Sequence, residues 1–207
     1  MIIIGIAGGS ASGKSSIANI INDYFNKDYC SYLIKLDDYY KSFDELSLED
    51  KLLINYDHPT SFDISLLINH LIDLKNNKSI NQPIYDFVNY VRKSETKLIK
   101  EPDIIILEGI YTLYDEQLRN LCDYKIYVDV ASDIRLIRRI KRDIKKRNRS
   151  LENILNQYQT SVRVMYHDYI EPTKKYADII IEQGKENKEM INLALKNIST
   201  ILNNNMI

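Results

Sequence analysis

The chain has 207 residues, 44% of them hydrophobic, which is enough for one well-buried core and leaves no length for several. With 28 basic and 29 acidic residues its net charge is −1, which argues against a general binder of nucleic acid or of membrane surfaces. The sequence opens without a basic leader or a bilayer-length apolar run, and Cys30 and Cys122 stand alone without C-x-x-C spacing, so a reducing, cytoplasmic setting is expected.

The first apolar run, residues 2–7, is continuous rather than alternating, as in a strand buried on both faces. It leads into Gly8, Gly9, Ser10, Ala11, Ser12, Gly13, Lys14, Ser15 and Ser16, with the spacing G-x-x-x-x-G-K-S. Glycines in such a loop turn backbone N–H groups inward on phosphates, and the following helix, predicted over 15–25, adds its positive end. Lys14 is expected to reach the β- and γ-phosphates, Ser15 to hold Mg²⁺, and Ser16 to bond the α-phosphate. A second strand, 32–36, ends in LDDYYK, where Asp37 is the candidate general base and Asp38 reads as its solvated neighbour.

An amphipathic helix is expected over 64–75. Residues 83–100 alternate with period two and predict a β-hairpin turning near 93–95, either an edge decoration or a flap beside the site. The strand 104–107 ends in Glu108, an acid leaving a buried run, whose natural partner is the metal held by Ser15. Strands at 125–130 and 178–181 and helices at 134–146, 151–170 and 187–202 complete the pattern. Strand alternating with helix predicts an α/β fold, a doubly wound parallel sheet flanked by helices in a single domain.

Residues 135–149 hold nine Lys or Arg and one Asp, a density that suits either a lid over triphosphate or a nucleic-acid patch. No N-K-x-D guanine reader is present, which argues against a GTPase, and motor or regulatory ATPases usually bring further domains. A base candidate at Asp37 and an intact phosphate loop favour a small-molecule kinase over a non-catalytic nucleotide-binding regulator.

With these pieces in view the sequence resembles the uridine kinase (uridine–cytidine kinase) family along nearly its whole length. GGSASGKSS, DDYYK, NYDHPTSFD, PIYDFVNYVRK, IIILEGI, DIRLIRRIKRDIKKRNRS with LNQYQ, and EPTKKYADIII occur in the family's order and spacing. The resemblance implies a P-loop kinase fold with a five-stranded parallel sheet, a hairpin flap at 83–100, a helical lid at 133–160 and a homotetramer. It implies transfer of the γ-phosphate of ATP or GTP, with Mg²⁺, to the 5′-hydroxyl of uridine or cytidine in pyrimidine salvage. Related kinases for phosphoribulose or pantothenate are the alternative. Asp37 then matches the base, Asp57 the acceptor of both ribose hydroxyls with Arg139 beside it, and Tyr40, Tyr85 and Phe87 the nucleoside contacts. Arg149 and Gln157 match lid residues facing the nucleoside, and Arg142 and Arg147 match those over ATP. Asn148 stands where the family usually has glycine, a position that asparagine tolerates in a left-handed turn. Tyr90 stands where the family usually has a histidine reading the base's 4-position, which predicts a bias toward cytidine.

Overall fold

A computed structural model describes residues 1–205. In chain order its strands are β1 (Ile2–Gly8), β2 (Ser31–Lys35), β3 (Ile80–Asp86), β4 (Val91–Ile99), β5 (Ile104–Glu108), β6 (Tyr124–Asp129) and β7 (Ile179–Glu182). The helices are α1 (Lys14–Phe25), α2 (Leu48–Leu53), α3 (Ile64–Lys75), α4 (Glu116–Leu121), α5 (Ser132–Arg147), α6 (Leu151–Gln157), α7 (Arg163–Met165) and α8 (Lys188–Asn205). Five strands form a parallel sheet in the order β2–β5–β1–β6–β7, and β3 and β4 pair separately as an antiparallel hairpin.

Burial explains the apolar runs. Every residue of β1 and β5 is buried, because helices cover both faces of the sheet. Ile2, Ile4, Ile6, Ile104 and Ile106 pack with α1 and α8 on one face. Ile3, Ala7, Ile105, Leu107 and Tyr127 pack with α3, Tyr111 and Tyr166 on the other. Each buried isoleucine contributes about 1.5–3 kcal/mol of transfer free energy. The shared register aligns Ile6, Glu108 and Lys35 in one row, so that β1, β5 and β2 deliver their exits to the same edge.

The hairpin turns at 87–90, not near 93–95 as the alternation suggested. Asp86 decides the place: Oδ1 accepts the backbone N–H groups of Val88 and Asn89 at 2.8 and 3.2 Å, and Tyr90 takes the left-handed conformation at φ 55°. The pairing then resumes with a register shift between Pro83 and Tyr85, so β4 runs through the expected turn as regular strand. The single helix expected over 151–170 is one helical run interrupted by two π-helical turns, Tyr158–Val162 and Tyr166–Ile170, on either side of α7.

Candidate active site

The phosphate loop leaves the central strand and enters α1 at Lys14. Gly13 caps that helix at φ 98°, a left-handed turn that costs glycine no side-chain clash. The Ser15 hydroxyl donates to Glu108 Oε1 at 2.8 Å, and Lys14 Nζ lies 4.0 Å from Glu108 Oε2. Glu108 is buried, so the ammonium and the hydroxyl supply the partners its charge requires. Ser12 Oγ is buried without a hydrogen-bond partner among the described residues.

Asp37 lies in the 3₁₀ turn Leu36–Tyr39, one step beyond β2. A Cβ on Gly109 would stand 2.3 Å from Leu36 Cβ, so the exit of β5 presses directly on that turn. Asp38 is not the solvated neighbour expected from sequence. It accepts a hydrogen bond from Gln82 Nε2 of the hairpin at 2.9 Å, and burial, reinforced by Asp37, pushes its carboxyl above the usual range. Arg92 makes a second tie, donating to the carbonyls of Tyr40 and Tyr39 and pairing with Asp63 Oδ2 at 3.2 Å. The hairpin is therefore bonded through both of its strands, by Gln82 on β3 and Arg92 on β4, to the segment carrying Asp37.

Five predicted residues meet in one relay. Arg139 Nη1 donates to Ser10 Oγ and Arg139 Nη2 to Gln157 Oε1, both at 2.9 Å. Arg149 Nη1 donates to the same Gln157 oxygen at 2.6 Å, and Gln157 Nε2 passes the chain to Asp57 Oδ2 at 2.9 Å. Ser161, four residues beyond Gln157, donates to Asp57 Oδ2 at 2.7 Å, and the Tyr111 hydroxyl donates to the Asp57 carbonyl. Burial lowers the pKa of the Arg139 guanidinium, opposed by the nearby Asp57 and Asp143. Arg142 and Arg147 are not in this relay; both engage Asp143.

The aromatic residues gather beside Asp57. Tyr40 stacks on Phe62 with ring centroids 4.1 Å apart, and Tyr85 and Phe87 stand 5.2 and 6.4 Å from Tyr40. Tyr90 leans on Tyr56 at 5.1 Å. The Tyr56 and Tyr85 hydroxyls are buried and lack hydrogen-bond partners among the described residues. His58, adjacent to Asp57, accepts the Thr60 N–H and so caps a 3₁₀ turn. A hollow of about 520 Å³ lies on the loop's flank, lined by Val130, Ile134, Arg138, Glu182 and Glu186, with Arg138 donating to the Ser12 carbonyl.

Sequence reasoning missed Tyr56, Arg92, Ser161 and Asp143. Ser161 carried a usable signal, because residues four apart share one helix face. Tyr56 also did, as the immediate neighbour of Asp57. Arg92 and Asp143 gave none, since each looks like an ordinary charge on a solvated element.

A phosphate loop on the central strand of a parallel sheet, with an acid ending the next strand and a cationic helix crossing over it, defines a P-loop phosphotransferase. The model of the "Phosphoribulokinase / Uridine kinase family" matches residues 3–189, and the chain belongs to that family. It is 50% identical to a uridine kinase of Clostridium novyi (strain NT) over 99% of this chain and 98% of that protein. Its identity to a uridine kinase of Bacillus subtilis (strain 168) is 47%, over 100% of this chain and 97% of the other. Among solved structures, the phosphoribulokinase of Rhodobacter spheroides matches with a TM-score of 0.67 at 16% identity, covering 87% of this chain and 69% of that one, a likeness of fold.

Proposed function

We propose that this kinase phosphorylates the 5′-hydroxyl of cytidine and uridine, using ATP or GTP, in pyrimidine salvage. The observation that carries the reading is the relay Ser10–Arg139–Gln157–Asp57, which joins the phosphate loop to a carboxylate flanked by aromatic rings. A ribose diol bonded to Asp57 and a pyrimidine against Tyr40, Tyr85 and Phe87 leave the 5′-hydroxyl directed toward the loop. The relatives are named uridine kinases, which supports uridine as an acceptor.

The donor's triphosphate lies on Gly8–Ser16 and its base in the hollow beside Arg138. Asp37, which has no side-chain hydrogen bond among the described residues, takes the hydroxyl proton. The 5′-oxygen forms a bond to the γ-phosphorus, and the bond to the β–γ bridging oxygen breaks to release the diphosphate. Lys14, Arg139, Arg142 and Arg147 offset the charge on the moving phosphoryl group. Ser15 and Glu108 offer two hard oxygens, a set that would suit Mg²⁺. Held there, Mg²⁺ would supply charge neutralisation on the phosphates. Among the described residues no cluster of three His, Cys, Asp or Glu offers another metal site. No described helix is long and apolar enough to cross a membrane; cytoplasmic residence and a homotetramer are proposed on family likeness.

Tyr90 sets the base preference. The Tyr90 ring lies 5.1 Å from that of Tyr56, and the reading is that its hydroxyl, with the proton turned away from the base, accepts from the cytosine amine and has none to give the uracil oxygen. The test is phosphorylation of uridine and cytidine side by side, for wild type and Tyr90→His. Cytidine preferred by wild type, with uridine turnover gained by the histidine, is the expected outcome. Equal turnover of both by wild type overturns the reading of Tyr90, and turnover of neither overturns the acceptor.

A further inference from the structure

Asp143 is the single acid in the cationic stretch 135–149, and it is fully buried. Arg142 Nε donates to its Oδ1 at 2.7 Å, Arg147 Nε lies 3.7 Å from the same oxygen, and Arg139 Nε lies 3.6 Å from Oδ2. Burial alone would raise its carboxyl pKa, yet Arg142, Arg147 and Arg139 together hold it below the ordinary value. The contact with Arg139 is incomplete. Asp143 Oδ2 and Arg139 Nε are both buried, and neither has a hydrogen-bond partner among the described residues. The Asp143 carbonyl also accepts the N–H groups of Asn148 and Arg149, so one residue ends α5 and gathers its arginines.

Arginines needed over a triphosphate repel one another before it arrives. A buried carboxylate at their meeting point offsets that repulsion and fixes where they wait. We propose that Asp143 is a positioning residue. It holds Arg142 and Arg147 in reserve for the incoming triphosphate, and it steadies Arg139 so that both Nη groups face Ser10 and Gln157. Nucleotide binding is then an exchange, in which phosphate oxygens replace a carboxylate on two of the three arginines. The inference rests on the reading of Arg142 and Arg147 as phosphate-facing residues.

The exchange has a signature that loss of structure does not share. Replacing Asp143 by the isosteric, neutral Asn frees Arg142 and Arg147, so ATP binds more tightly. The same change loosens Arg139, so transfer slows. For Asp143→Asn the dissociation constant of ATP, titrated without nucleoside, is expected to fall, while kcat drops about tenfold, the low end of what a close buried charge pair contributes. Asp143→Glu, which keeps the charge, restores most of the kcat. Weaker ATP binding together with lower kcat, or no change in either, overturns the proposal. A second readout uses the wild-type protein. The Arg142 Nε–H resonance, assigned by its loss in Arg142→Lys, is expected to shift on adding ATP, and an unmoved resonance overturns the exchange even if Asp143→Asn does not fold. Wild-type turnover of cytidine or uridine in the same assay separates the two failures. Its absence overturns the acceptor, whereas intact turnover with an unmoved Asp143→Asn overturns only this inference.

Discussion

At the scale of single residues, position and environment divide the labour between neighbouring acids. Asp37 and Asp38 are adjacent, yet Asp38 is bonded to Gln82 and pushed toward its protonated form, while Asp37 makes no side-chain hydrogen bond among the described residues. Asp37→Asn keeps the shape of the site and removes the proposed base. Its kcat is expected to fall by about 10²–10⁴, the usual contribution of a general base, with the KM of the nucleoside little changed. Steady-state kinetics on cytidine check this, and a large rise in KM without loss of kcat would assign Asp37 to binding. Asp57 uses Oδ2 for Gln157 and Ser161, which leaves Oδ1 for the ribose hydroxyl proposed to bind there. A 2′-deoxynucleoside leaves that acceptor short of a partner, at a cost of about 1–3 kcal/mol.

At the scale of elements, the end of α5 shows how a departure from the family pattern is accommodated. Asn148 takes φ 49° and ψ 38° where glycine is usual, and its N–H bonds back to the Asp143 carbonyl. Asparagine adopts this left-handed conformation more readily than most residues, so the helix stops where a glycine would stop it. Asn148→Gly should leave thermal stability unchanged or raise it slightly. Asn148→Val should lower it by about 1–2 kcal/mol, the strain of a left-handed β-branched residue. Thermal unfolding of the two variants decides the matter, and equal melting temperatures would show that the turn does not constrain the chain. The hairpin is the element that sequence placed least well. Its alternation runs unbroken through β4, so periodicity alone had no means of marking the turn, and only the Asp86–Asn89 bonds locate it.

At the scale of the whole molecule, what was legible depended on whether the physics was local. β1 and β5 announced themselves because burial on both faces demands unbroken apolar runs, β2, β6 and β7 carried apolar runs that are partly buried, and α3 was expected over the very residues it spans. The phosphate loop, Glu108 and Asp37 were legible because each sits at a strand exit. Asp57 was not: it reads as a turn residue, and only family likeness and the relay through Gln157 single it out. Asp143 stayed hidden because its burial depends on three arginines folding back along one helix. The two cysteines differ for a similar reason. Cys30 is exposed, whereas Cys122 is buried and burial pushes its thiol up to about 12. Iodoacetamide near neutral pH should therefore modify Cys30 alone, and Cys122 only once the chain unfolds; rapid double labelling of the native protein would contradict the packing described. The strand order carries a consequence for synthesis. β1 is wholly apolar at its buried positions, yet its first neighbour, β5, lies about a hundred residues downstream. At translation rates of roughly 5–20 residues per second the ribosome exposes that strand for about 5–20 s before a partner exists. A nascent chain of this kind has to be shielded by chaperones, and its yield in the cell should fall faster than its finished stability when they are scarce.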